Sequence, residues 1–262
     1  MPDRAQSDIA EAGSPARLVN PVGRSPVVLV CEHASCHIPA EFADLGLAPE
    51  ARRSHVAWDP GALEVARALS RVLDAPLVAS TVSRLVYDCN RPPEAPDSTP
   101  ARSEVFDIPG NAGLDAAARR RRAALYYEPF RALLHETLSA PGRRTLVTVH
   151  SFTPVYMGRR REVELGILHD ADSRLADEML RLAPTHCRMR AWRNAPYGPE
   201  DGVTHTLRVH GLSRGIPNVM LEIRNDLIAD EASQQKAGQC LAALLAAALE
   251  ALGIDTRPEG RR

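Results

Sequence analysis

Three apolar runs limit what this chain can fold into, because each is too rich in β-branched and aliphatic residues to lie in water and each leads straight into ionisable side chains. "PVVLV" (26–30) runs into Cys31, Glu32 and His33, "TLVTV" (145–149) into His150, and "NVML" (218–221) into Glu222. Short runs of this kind, bounded by turn residues, read as strands buried on both faces. "EVELGILHD" (162–170) is a further strand candidate, and "APLVASTVSRLVYDCN" (75–90) holds one or two short ones. Between them apolar residues recur at helical spacing. These stretches are "GALEVARALSRVLD" (61–74), with Asp59 and Pro60 as start signals, then about Asp115 to Ser139, "SRLADEMLRLA" (173–183) and the Ala/Leu-rich 232–253. The alternation predicts an α/β fold, a single three-layer domain with a mixed, largely parallel sheet flanked by helices. The domain is expected over 25–254, with residues 1–24 and 255–262 as flexible ends.

Composition removes several function classes. Lys plus Arg number 32 and Asp plus Glu 33, for a formal charge of -1, so no global field draws the chain to nucleic acid or an anionic membrane. The basic run Arg119 to Arg122 lacks interleaved aromatics and reads as a solvated helix face. Five cysteines without a CxxC pair suit a reducing cytoplasm, with thiols used as small packing residues. The N-terminus has no apolar signal-peptide core, and no apolar run reaches the ~18 residues of a membrane span. A soluble, cytoplasmic protein is expected. There is no GxSxG elbow and no Gly-rich phosphate loop, and Cys31 and Cys36 beside His33 read as packing rather than as a nucleophile pair.

What remains is positional. In open α/β sheets, ligands bind beyond the carboxyl ends of the strands, so His33, His150 and Glu222 can converge from distant parts of the chain. A hydrolytic zinc site needs about three protein ligands and one open position. His33 and His150 can supply nitrogen, either Asp59 or Glu32 can supply oxygen, and Glu222 is then free to act as base. Adjacent strand residues point to opposite faces, which favours Asp59 over Glu32 as the partner of His33. A second constellation, "SRLVYDCNRPP" (83–93), offers Arg84, Asn90 and Arg91 to an acidic substrate, or else a loop held by Arg–Asp pairs. Arg224 lies two residues beyond Glu222 and so on the same side of its strand. Tyr197 and His205, within 194–211, are candidates to line a specificity pocket.

Taken in order, "VVLVCEHASCHIP", "AWDPGALEVARALS", "SRLVYDCNRP", "TLVTVHSFTPV" and "GIPNVMLEIRNDLI" resemble the N-formylglutamate amidohydrolase family from about residue 26 to residue 250. The resemblance implies a fold similar to zinc carboxypeptidases and aspartoacylases, and hydrolysis of N-formyl-L-glutamate to formate and glutamate. It implies a divalent metal, Zn2+ first, on His33 and His150 with Asp59 as the favoured third ligand. It further implies Glu222 as base, Asn90 and Arg91 as the clamp for the α-carboxylate, and Arg84 as the group that polarises the scissile carbonyl. One departure is that the zinc-carboxypeptidase pattern puts a glutamate three residues after its first histidine, where this chain has Cys36. Two other functions fit the same residues: an amidohydrolase for another N-acyl amino acid or small acidic amide, and a non-catalytic binder of an acidic amino acid.

Overall fold

The computed structural model describes residues 13–256. Eleven strands occur among them: β1 (Ala16–Val19), β2 (Val27–Cys31), β3 (Leu77–Ser80), β4 (Arg102–Ser103), β5 (Phe106–Asp107), β6 (Thr145–Phe152), β7 (Val155–Tyr156), β8 (Arg159–Arg160), β9 (Leu165–Leu168), β10 (Ala191–Arg193) and β11 (Asn218–Arg224). The α-helices are α1 (Pro49–Arg53), α2 (Ala62–Leu73), α3 (Ala116–Arg122), α4 (Glu128–Ser139), α5 (Arg174–His186) and α6 (Glu231–Ala251). Seven strands form one sheet in the order β1-β3-β2-β6-β11-β9-β10. Its centre, β3-β2-β6-β11, is parallel, and β1 and β9 pair antiparallel at either side. The expected mixed, largely parallel sheet is therefore present.

Strand alternation sorts the layers. Val27, Leu29, Val147, Val149, Val219 and Leu221 face α2, α5 and α6, whereas Val28, Val30, Leu146 and Met220 face the cluster that includes Phe130 and Leu134 of α4. The helix α4 covers β1, β3 and β2 on that second face, and a π-helical turn, Leu207–Gly211, packs against β6 and β11. Even-numbered residues of β6 and β11 thus meet loops and turns rather than a long helix. That is where His150 and Glu222 lie.

The long helix expected from Asp115 to Ser139 is one continuous run of three parts. Asp115 caps α3 by accepting from Ala118 N at 2.7 Å, and a π-helical turn, Ala123–Tyr127, joins α3 to α4. Pro129 stands just beyond that turn; it has no N–H to donate and its ring crowds the preceding carbonyl, so the ladder widens there.

Two expectations need revision. Part of the segment 1–24, read as flexible, is ordered, since Ala16–Val19 pairs with β3 as an edge strand; residues 1–12 and 257–262 lie outside the described residues. The run Arg119 to Arg122 is only partly a solvated face. Arg122 is buried and donates to Val86 O, Gly110 O and Asn111 Oδ1, and Arg119 donates to Thr99 Oγ1 at 2.8 Å. Both brace the proline-rich segment 91–113.

Candidate active site

Loops that follow β2 and β3 are tied to each other through the backbone. Asp59 N donates to His33 O at 3.0 Å, Arg84 N to Ala57 O at 3.2 Å, and Ser83 N to His37 O at 2.8 Å. Gly61 permits the sharp entry into α2: its φ is 82°, and a Cβ there would come within 2.6 Å of Ile228 O. The helix can therefore start immediately after Asp59, whose carboxylate is held by Ser151 N at 3.2 Å. Three segments distant in sequence meet at one point.

At that point His33 Nδ1, His150 Nδ1 and Asp59 Oδ2 form a triangle with sides of 3.3, 2.9 and 3.2 Å. All three residues are buried. A tetrahedral ion with ligands at 2.0–2.1 Å has ligand–ligand edges of about 3.3 Å, so the triangle has the size of one face of such a site. Each outer ring nitrogen faces a carboxylate. His33 Nε2 lies 2.8 Å from Asp88 Oδ1, and His150 Nε2 lies 3.1 Å from Glu32 Oε2, close but off the hydrogen-bonding direction. Carboxylates in those places leave the inner nitrogens to face one another. A proton between the inner atoms satisfies one contact at a time, whereas a cation satisfies all three, so these residues fit a divalent metal.

The electrostatics are those of a site built around positive charge. Burial opposes protonation of both histidines, but Glu32 and Asp59 hold His150 well above its ordinary range, and Asp88 and Asp59 raise His33. Burial likewise opposes ionisation of Asp88, yet His33 and Arg84 hold it well below the usual carboxylate range. Glu222 behaves differently. Burial, with Asp59 adding, pushes its carboxyl up to about 7 against the pull of His150, His33 and Arg84. Its Oε2 is buried without a hydrogen-bond partner. It sits opposite His150 in the β6–β11 register and opposite Gly166 on β9. Gly166 has to be bare, because a Cβ there would run into the backbone oxygen of Ala195 and come within 3.0 Å of Glu222 Cβ.

His33, Asp59, His150, Glu222, Arg84, Asn90, Arg91 and Tyr197 all line one cleft of about 390 Å³, a size that takes a small molecule. Arg84 donates to Asp88 Oδ2 at 2.8 Å and lies 3.6 Å from Asp59 Oδ1. Asn90 is more occupied than a substrate clamp requires: Nδ2 donates to Val203 O at 2.6 Å and Oδ1 accepts from Thr206 N at 3.0 Å. Arg91 gives Nε to Asp97 Oδ2 and Nη1 to Gly202 O.

Two candidates are not brought to the cleft. Arg224 does share the face of Glu222, but it is buried and its nitrogens go to Asp226 Oδ1, to Arg161 O and toward Glu164. It braces the β11 end. His205 Nε2 pairs with Tyr127 Oη at 2.8 Å and does not line the cleft. Of the two carboxylates weighed as third ligand, Asp59 completes the triangle, and Glu32 stands behind His150. Asp88, seen in the sequence only as part of an Arg–Asp loop, is the group that orients His33; its partner is 55 residues away, so spacing carries no sign of it. Burial, with Asp59 and Glu32 adding, pushes the Cys31 thiol well up, which agrees with a packing role.

The family model for N-formylglutamate amidohydrolase matches residues 25–229. The structure of the gene product Atu2144 from Agrobacterium tumefaciens is 52% identical, covers 94% of this chain and 99% of that one, and superposes with a TM-score of 0.90. An N-formylglutamate amidohydrolase from Ralstonia eutropha JMP134 is 22% identical over 92% of this chain and 98% of that one, with a TM-score of 0.60, and so shares the fold. No match is found among curated proteins. With the model spanning most of the chain and the ordered motifs falling on one cleft, this chain belongs to the N-formylglutamate amidohydrolase family.

Proposed function

We propose that the chain is a metal-dependent amidohydrolase that removes the formyl group from an acidic N-formyl amino acid, N-formyl-L-glutamate first. The observation that carries this reading is the triangle of His33 Nδ1, His150 Nδ1 and Asp59 Oδ2 in one cleft with the buried carboxyl of Glu222, whose Oε2 has no hydrogen-bond partner. His33, Asp59 and His150 would hold a divalent ion, zinc first, which when bound would polarise a carbonyl and lower the pKa of water. Glu222 takes a proton from the attacking water on its carboxylate and returns it to the amide nitrogen as the C–N bond breaks, so that formate and the free amine leave. Arg84, fixed by Asp88, is the donor for the oxygen on which charge develops. Arg91, with the backbone held by Asn90, receives the α-carboxylate.

The test is formate release from N-formyl-L-glutamate by the purified protein, before and after chelation and again after zinc is returned. Release that chelation abolishes and zinc restores is the expected result. If metal-loaded protein releases no formate but frees acetate from N-acetyl-L-glutamate, the reaction class stands and the formyl specificity falls.

A further inference from the structure

The guanidinium groups that line the cleft are each paired with a carboxylate of the chain itself, and one more, which stands behind the cleft's aromatic wall, is not. Arg84 pairs with Asp88 at 2.8 Å, Arg91 with Asp97 at 2.7 Å and Arg102 with Asp107 at 3.1 Å. Arg161, which directly follows the β7–β8 hairpin, makes an ion pair with no carboxylate among the described residues. Its guanidinium instead lies 5.5, 4.5 and 5.0 Å from the ring centroids of Phe152, Tyr156 and Tyr197. All three rings line the cleft. Nη2 donates to Tyr197 Oη at 2.9 Å, and Nη1 lies 3.4 Å from Thr153 O.

Aromatic faces hold a guanidinium in place without cancelling its charge. Burial, with Glu222 adding, pushes the Tyr197 hydroxyl up to about 12, so it stays protonated. Because that hydroxyl accepts from Arg161, its own proton is free to be donated into the cleft. An anchored cation and a hydroxyl polarised by it are the partners a carboxylate binds most strongly when partly removed from water. Arg91, assigned to the α-carboxylate, also shares its guanidinium with Asp97 and Gly202, so a second carboxylate needs another cation.

We propose that Arg161, together with the Tyr197 hydroxyl, reads the second carboxylate of a dicarboxylic substrate and so sets the preference for acidic over neutral N-formyl amino acids. This deepens the amidohydrolase reading and rests on it for the choice of substrate. The test uses zinc-loaded protein and two readouts. Calorimetry compares glutarate with butyrate, and kinetics compares N-formyl-L-glutamate with N-formyl-L-glutamine.

Wild type is expected to prefer glutarate by about 10- to 100-fold, the worth of a charge-assisted contact. Arg161→Gln should erase that preference and Arg161→Lys keep most of it. In turnover, Arg161→Gln should raise KM for N-formyl-L-glutamate and leave kcat/KM for N-formyl-L-glutamine unchanged. Equal losses on both substrates would make Arg161 a mere brace of the hairpin, and no loss on either would remove it from recognition; both overturn the proposal. If Arg161→Gln does not fold, Tyr197→Phe asks the same question and should lower the glutarate preference alone. Wild type that prefers glutarate through Arg161 yet releases no formate would sink the hydrolytic reading and leave this carboxylate site standing.

Discussion

Opposing forces meet on Glu222, and their balance gives its chemistry a pH dependence of known sign. Burial lifts the carboxyl to about 7, while the histidines and Arg84 pull it down. A base must be ionised, so kcat/KM should fall as pH drops through its pKa, and a bound cation should move that acid limb below 7. Glu222→Gln keeps the shape and removes the base; kcat should drop on the order of 10²- to 10⁴-fold, with metal content by elemental analysis unchanged. A variant with wild-type kcat would take Glu222 out of this role. For Asp88, the loss belongs to metal affinity. Asp88→Asn removes the charge behind His33 Nε2, and zinc affinity measured by chelator competition should fall about 10- to 100-fold.

Among the elements, the pairing of β9 with β11 is what sets Glu222 against a glycine. Gly166→Ala places a methyl on the Ala195 backbone oxygen and against Glu222 Cβ, and neither the backbone nor the buried acid can give way freely. The expected result is a loss of kcat/KM together with about 1–3 kcal/mol of stability. Gly238→Ala is the control, because its methyl meets Ala68 where α6 crosses α2, remote from the cleft. It should lower Tm by a similar amount without touching kcat/KM. Strands and helices at this scale were readable from apolar runs and helical spacing because those patterns record burial, and burial made the elements. The π-helical turn before Pro129 was not, since periodicity over 25 residues averages over a single widened turn. Arg224 shows the same limit: spacing fixed its face correctly, but a face says nothing of Asp226 and Glu164, which claim its nitrogens first.

Over the whole molecule, the site was legible to the extent that its residues stand at strand ends. His33, His150 and Glu222 could be placed together because parallel strands bring their carboxyl ends to one edge. Asp88 and Arg161 could not, as their partners are fixed by loop packing that no local pattern announces. Nothing in "GRRRE" marks Arg161 as the arginine that stacks on the cleft's aromatic rings. Since His33, Asp59 and His150 lie on three separate segments, a shared ion would also tie those segments together. Chelation is therefore expected to lower Tm as well as abolish turnover, by RT ln(1 + [metal]/Kd), and differential scanning measurements with and without zinc would show it.

The carboxylates behind the two histidines carry one more consequence. Glu32, Asp59 and Asp88, all buried, are opposed at the inner end of the cleft by the guanidinium of Arg84, leaving an excess of two negative charges before Glu222 is counted. A divalent ion cancels that excess with both imidazoles neutral. Without it, the raised pKa of each histidine means that protons take over the task. Their contribution to the fold is complete below the unfolded pKa of about 6.5 and is lost as pH rises through the folded values, where the ion must replace it. Metal uptake is then an exchange, one ion in for two protons out. Below the histidine pKa values the logarithm of the apparent affinity should climb by about two for each pH unit, and proton release measured by calorimetry in buffers of different ionisation enthalpy should approach two per ion bound.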